Sequence, residues 1–225
     1  MRILLTGATG LVGQGVLREC LSDPGVTQVV ALGRRSSGQR HAKLDELVVA
    51  DFNDLGAIEN RLQPFDACLY CAGAPPIGTP EPEYRHVTLT LTTNVARTLA
   101  RLNPGLTLVY ISGAASNPDS RIMPLRIKGE TERALAALPI RTVMLRPGGI
   151  QPVHGVHSPH AALSVMYGLT GPLMGLGVRL MPNVMTTTER VGRAMLQLLR
   201  QKNPPAVVEN ADINRLGDGA GNVGT

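Results

Sequence analysis

The chain has 225 residues, 43% of them hydrophobic, which is enough to bury one sizeable core with a small appendage. Its 22 basic and 17 acidic residues leave a formal charge of +5, which suits a small anionic ligand, but no Lys/Arg block is long enough to make a nucleic-acid tail. Aromatics at 3% and the absence of Trp argue against base stacking, while three cysteines and no export signal lead us to expect a cytoplasmic protein without a nucleic-acid partner.

In chain order, Arg2–Thr6 is a continuous apolar run that ends at glycines, as in a buried parallel strand. Residues 11–21 follow as a helix, with Val12, Val16 and Leu17 at helical spacing, and stop near Asp23-Pro24-Gly25. Strands are predicted over 29–32 and 47–50, then a helix through Leu55, Ile58 and Leu62, and a fourth strand over 67–71. A loop with Pro75, Pro76, Pro80 and Pro82 leads to a long helix over 84–102. A strand over 106–111, a helix over 128–138 and a strand over 141–145 follow. Strands alternating with helices imply an α/β fold, a doubly wound parallel sheet covered on both faces.

After Arg146-Pro147-Gly148-Gly149 the pattern loosens until a helix over 188–199 and a short strand over 206–209. The apolar stretch 164–182 is broken by Gly168, Gly171, Pro172, Gly175, Gly177 and Arg179, so no membrane span is expected there. We therefore expect residues 1–150 to form a dinucleotide-binding core. Residues 151–216 would add a small cap over the strand C-termini, completing the same domain, and residues 217–225 a disordered tail.

The glycines carry the first functional signal. Thr6-Gly7-Ala8-Thr9-Gly10-Leu11-Val12-Gly13 follows a strand and opens a helix, the context that gives such spacing meaning. Gly7 permits the tight turn, Gly10 lets the backbone approach a pyrophosphate, and Gly13 lets the helix pack on the strand. The free N–H groups over Thr9, Gly10, Leu11 and Val12 then face the phosphate charge. At the end of the second strand, Gly33-Arg34-Arg35 offers two guanidinium groups and no acid to grip a ribose 2′-hydroxyl. Guanidinium pairs with phosphate in a bidentate way, so NADP(H) is expected over NAD(H), with solvated loop charges as the plainer reading. Asp51, after the third strand, is placed either to accept from an adenine amino group or to cap the next helix. The small residues of Cys71-Ala72-Gly73 let the fourth strand's end lie along the cofactor.

These pieces, with Tyr110-Ile111-Ser112-Gly113, Ile127-Lys128-Gly129-Glu130 and Leu145-Arg146-Pro147-Gly148, resemble the short-chain dehydrogenase/reductase superfamily. The closer similarity is to its atypical and extended, epimerase/dehydratase-like branch. The resemblance covers the first 150 residues and implies a Rossmann-type fold, with Pro147 and Gly148 beside the cofactor. It also implies a catalytic Ser and a Tyr-x-x-x-Lys pair. The Lys holds the nicotinamide ribose and lowers the tyrosine's pKa, the Tyr exchanges a proton with substrate, and the Ser orients the substrate oxygen. Ser112 and Lys128 match, but Pro124 stands where the Tyr belongs. Tyr110, two positions before Ser112 and on its face, and Tyr167 in the cap are candidate replacements; Tyr110 also reads as core. Lys128 also reads as a solvated helix lysine, and Arg126 is a candidate anion clamp.

Other signals point to less chemistry. Cys68 and Cys71 lie three apart on a strand and so face opposite ways, which excludes a redox pair. His154, His157 and His160 are interrupted by Gly155 and Pro159 and have no acid or thiol among them, so no metal site is expected and a substrate-facing loop is preferred. Met and Leu residues over 166–181 would seal the cap or line an apolar pocket. Two functions follow: an NADP(H)-dependent oxidoreductase or epimerase-like enzyme on a small carbonyl compound, or a catalytically silent NADP(H)-binding regulator. A homodimer through the helices at 84–102 and 128–138 is implied by the resemblance.

Overall fold

In a computed structural model of the chain, residues 1–154, 181 and 183–219 are described. Strands β1 (Arg2–Thr6) and β4 (Ala67–Tyr70) are apolar almost throughout because both faces of the sheet are covered. They stand mid-sheet with β2 (Gln28–Gly33), β3 (Leu44–Val48), β5 (Thr107–Ile111), β6 (Arg141–Arg146) and β9 (Val207–Glu209), all parallel, in the order β3-β2-β1-β4-β5-β6-β9. Thr6 lies opposite both Leu32 and Tyr70, so the C-terminal ends of β2, β1 and β4 form one rim.

Alternation along β1 sorts its side chains into two cores. Ile3 and Leu5 join Val16 and Leu17 of α1 (Leu11–Ser22) and Val191, Met195 and Leu198 of α5 (Thr188–Arg200). Leu4 points the other way, with Leu32, Leu108 and Tyr110, toward Val95 and Leu99 of α3 (Thr92–Leu102) and Leu135 of α4 (Met123–Ala136). Cys68 falls in this second layer, whereas Cys71 packs on the first, so the two thiols do face apart. The helix expected over 84–102 begins as α2 (Glu81–Arg85) and reaches α3 through a wider π-turn, His86–Leu91.

Several boundaries differ from expectation. The third strand, Leu44–Val48, shares only Leu47 and Val48 with the 47–50 expected: it is an edge strand, so it starts earlier and tolerates the polar Asp45 and Glu46. The helix through Leu55 and Ile58 is a 3₁₀ turn, Gly56–Arg61. Helix α4 starts at Met123 rather than 128, with Pro124 in its first turn, where a missing N–H loses no helical bond.

Much of the cap expected over 151–216 lies outside the described residues, and the rest is divided among three places. β7 (Gly149–Gln151) and β8 (Met185–Thr187) form a separate parallel pair, α5 covers the sheet's α1 face, and β9 extends the sheet. The tail expected from 217 is helical through Gly219 in α6 (Asn210–Gly219). A Cβ on Gly217 would meet Arg190 Cα at 2.7 Å, so its absence allows α6 to close on α5, and Arg190 then holds Asp218 at 2.7 Å. His157, His160, Tyr167, the stretch 164–180 and residues 220–225 lie outside the described residues. Among the described residues no helix is long and apolar enough to cross a membrane, and no group of three metal-ligating side chains comes together.

Candidate functional site

The turn from β1 into α1 requires its glycines. Gly7 sits at φ +72°, and a Cβ there would stand 2.6 Å from Ala72 N. A Cβ on Gly13 would stand 1.9 Å from Gly7 O, so no side chain fits. Gly10 donates to Gly7 O at 2.9 Å and begins the helix without a side-chain cap, and no acid occupies the first turn formed by Leu11, Val12 and Gly13. The helix start thus keeps its N–H groups and positive dipole end for an outside anion.

A cavity of about 580 Å³, within the range of small-molecule sites, runs along the rim over β2, β1 and β4. Gly7, Thr9 and Gly10 line it from the glycine turn, and Cys71, Ala72 and Gly73 from the end of β4. Arg34 and Arg35 line it after β2, both exposed and, among the described residues, without an acidic partner. Val87 and Leu91 of the π-turn line it from the helix side. Asp51 is not in the lining. Its Oδ1 accepts from Asn53 N and Nδ2, both at 2.8 Å, while Asn94 Nδ2 donates to Phe52 O at 2.7 Å; together these hold the loop that brings Phe52 to the cavity wall.

Ser112 and Lys128 meet at the end of β5, beyond the lining of that cavity. Lys128 Nζ donates to the Ser112 carbonyl at 2.5 Å and the Ile111 carbonyl at 3.3 Å. Although the side chain as a whole is half-buried, desolvation pushes its pKa down to about 8, against an upward pull from Glu132. Ser112 Oγ lies 3.0 Å from Ser116 Oγ, and Ser116 donates to Gly113 O at 2.7 Å. Ser116 has one proton, so Ser112 gives its own to Ser116 and keeps its lone pairs for an incoming donor.

Tyr110 is core. Its side chain is 1% exposed, its ring centroid lies 6.1 Å from that of Tyr70, and burial raises its phenol well above the ordinary range. The Lys128 ammonium stands 5.8 Å from its ring centroid. Arg126 donates to Glu81 at 2.7 Å, beside a bidentate Arg85–Glu130 pair at 2.5 and 3.1 Å; its charge thus joins α2 to α4 instead of standing free. Pro147 O accepts from Ala114 N at 2.9 Å, and Gly148 N donates to Asn210 Oδ1 at 2.9 Å, so both serve the backbone outside the cavity lining. His154 Nε2 lies 3.3 Å from Glu189.

Two site residues escape a reading of the sequence. Ser116 has a local signal, a second hydroxyl four residues after Ser112, whereas Glu46 has none. Glu46 reaches the cavity wall from mid-β3 and accepts from Ser36 Oγ and, at 2.6 Å, from Ser37 N, partners ten and nine residues upstream. Burial pulls its pKa up, but hydrogen bonds from Ser36 and Ser37 outweigh this and hold it below the ordinary value.

Comparison with known proteins follows the same outline. Residues 3–137 match the family described as "NAD dependent epimerase/dehydratase family". A relative named "Protein fmp52, mitochondrial" from Aspergillus fumigatus is 31% identical over 178 residues, 75% of each chain. The Kluyveromyces lactis protein of the same name is 30% identical over 157 residues, 67% of each chain. Relatives bearing that mitochondrial name overturn the cytoplasmic expectation, which rested on three cysteines and no export signal. Among solved structures, MoeE5 in complex with UDP-glucuronic acid and NAD superposes with a TM-score of 0.68 at 21% identity, covering 92% of this chain and 75% of that one. WbmF of Bordetella bronchiseptica in complex with NAD+ gives 0.64 at 16% identity, covering 100% and 79%. At such identities these two share the fold. Sequence and fold agree: the chain belongs to the NAD dependent epimerase/dehydratase family.

Proposed function

We propose that this protein binds NADP(H) along the rim of β2, β1 and β4 and acts as an oxidoreductase or epimerase-like enzyme on a small carbonyl or hydroxyl compound. The observation that carries the reading is the side-chain-free turn Gly7–Gly13, which opens onto a cavity whose β2 end bears Arg34 and Arg35. A Cβ would fill the cradle at Gly7 or Gly13, and the uncapped start of α1 fits a diphosphate. The two guanidinium groups, without an acidic partner among the described residues, fit a further phosphate on the adenosine ribose. The NAD-bound neighbours support a nicotinamide dinucleotide, and the arginines support the phosphorylated form.

When bound, the nicotinamide supplies hydride exchange. This chain's own part is to orient the substrate and to hold a positive charge beside it. Ser112 receives a hydrogen bond from a substrate hydroxyl, because its proton is engaged by Ser116. Lys128 keeps a positive charge next to that serine below pH 8. Tyr110 stays in the core and gives no proton.

The test is to incubate purified protein with NADPH and a panel of small aldehydes and ketones, or NADP+ and the matching alcohols, and to follow nicotinamide absorbance. Turnover that falls by about 10²-fold or more in Ser112→Ala is expected. A second reading, a dinucleotide-regulated binding protein, is favoured by Pro124 in the tyrosine position and by the burial of Tyr110. Tight NADPH binding with no turnover on any compound would select it.

A further inference from the structure

Arg34 and Arg35 sit on an exposed segment that has little to hold it. Arg34, Arg35, Ser36 and Gly38 are all exposed, and Gly38 takes φ +73°. Arginines on an unanchored segment would make a poor phosphate site, because ordering them on binding costs rotamer and backbone entropy. The segment therefore needs an anchor from outside itself.

Glu46 is the anchor. It lies on β3 in register with Ala31 of β2, so its backbone is fixed by the sheet. Its carboxylate reaches across to the segment, where Oε2 accepts from the Ser36 hydroxyl and Oε1 from Ser37 N at 2.6 Å. The Ser36 Oγ that donates to Glu46 accepts in turn from Gly38 N at 3.0 Å, and Val49 N holds Gly33 O at 2.9 Å on the other side of the arginines. Both ends of Arg34-Arg35 are thus tied to β3 or to the residue that follows it. Hydrogen bonds to an ionised acceptor are among the strong ones, and two on one carboxylate also fix its direction.

An acid in this part of the cavity has a second possible effect. Glu46 could oppose a phosphate through its charge. The geometry favours anchoring: both carboxylate oxygens of the half-buried Glu46 are engaged by the segment, and Arg34 and Arg35 outnumber its one negative charge at this end of the cavity. We propose that Glu46 is a positioning residue for dinucleotide choice: it latches Ser36 and Ser37 so that Arg34 and Arg35 are preset for a ribose 2′-phosphate. This rests on the NADP(H) reading above.

The experiment measures dissociation constants of NADPH and NADH by calorimetry for the wild type, Glu46→Ala and Glu46→Gln, with a melting curve for each to confirm folding. Glu46→Ala should loosen NADPH by about tenfold, the scale of one lost charge-assisted contact, and leave NADH within about twofold. Glu46→Gln, which keeps an acceptor for Ser37 N but not the charge, should fall between wild type and Glu46→Ala. In an Arg35→Ala background the effect of Glu46→Ala should shrink, since the latch then has less to position. Tighter NADPH binding in either variant would overturn the inference, because Glu46 would then be acting by repulsion. Equal loosening of both dinucleotides would overturn it as well, leaving a general structural role. Both outcomes leave the NADP(H) reading intact. A wild type that binds neither dinucleotide, or prefers NADH, would sink that reading and the inference with it.

Discussion

Burial governs Lys128 more than any partner does. In the unfolded chain its pKa is the ordinary 10.5, and in the folded protein it falls to about 8. Between those values the unfolded state binds more protons, so raising pH favours the fold; below 8 the cost of the buried charge is present in full. Comparing Lys128→Met with wild type by denaturant titration should therefore show the wild type gaining on the variant by about 1–3 kcal/mol between pH 7 and 10. A gap that is flat with pH would mean that the ammonium is solvated. Such a residue marks the limit of reading a site from sequence. Ser112 and Lys128 are legible through the family resemblance of the motifs around them, and the structure does join them. Whether Tyr110 replaces the phenol is decided by which core its face meets, and that core is α3 and α4. Glu46 is illegible because its partners lie across a strand gap, where no local pattern records them.

Helix α1 is where sequence and packing agree most closely, and its second role depends on glycines as well. A Cβ on Gly15 would stand 2.6 Å from Thr188 Cβ, and one on Gly192 would stand 2.8 Å from Glu19 Cγ, so α1 and α5 approach at side-chain-free positions. Arg193 to Glu19 at 3.1 Å and Arg200 to Asp23 then tie the two helices at their polar edge. Gly15→Ala should overfill this contact and lower stability by about 1–3 kcal/mol while leaving the NADPH dissociation constant unchanged, because the substitution faces away from the cavity. Loss of both, read by melting and calorimetry together, would show that the turn and the helix contact are one unit. The apolar face of α5 is legible from its spacing, but its place on α1 is not. A helix so far along the chain from its neighbouring strand can return to either face of a sheet, and the fit of Gly15 and Gly192 decides which. The strand expected over 206–209 is found as Val207–Glu209, but its place beside β6 could not be read from the sequence.

For the whole molecule, the alternation of strands and helices over residues 1–146 implies a parallel sheet, and the rim where β2, β1 and β4 end follows from the strand order the structure shows. Ligand and fold are then coupled, because the cavity exists only while the Gly7 turn, the Arg34-Arg35 segment and the β4 end are held together by the sheet. A ligand that binds only the folded form stabilises it by mass action, about 2.7 kcal/mol at a hundredfold excess over its dissociation constant. In a chain of this size each kcal/mol raises the melting temperature by about 2–4 °C, so saturating NADPH should add about 5–10 °C. Under the NADP(H) reading, NADH at the same concentration should add less, and 2′-AMP, which carries the ribose phosphate without the diphosphate bridge, should add a small shift that Arg34→Ala and Arg35→Ala abolish. Equal shifts from NADPH and NADH would leave the glycine turn as the binding element and remove the arginines from the site. No shift with either would mean that the rim holds neither dinucleotide.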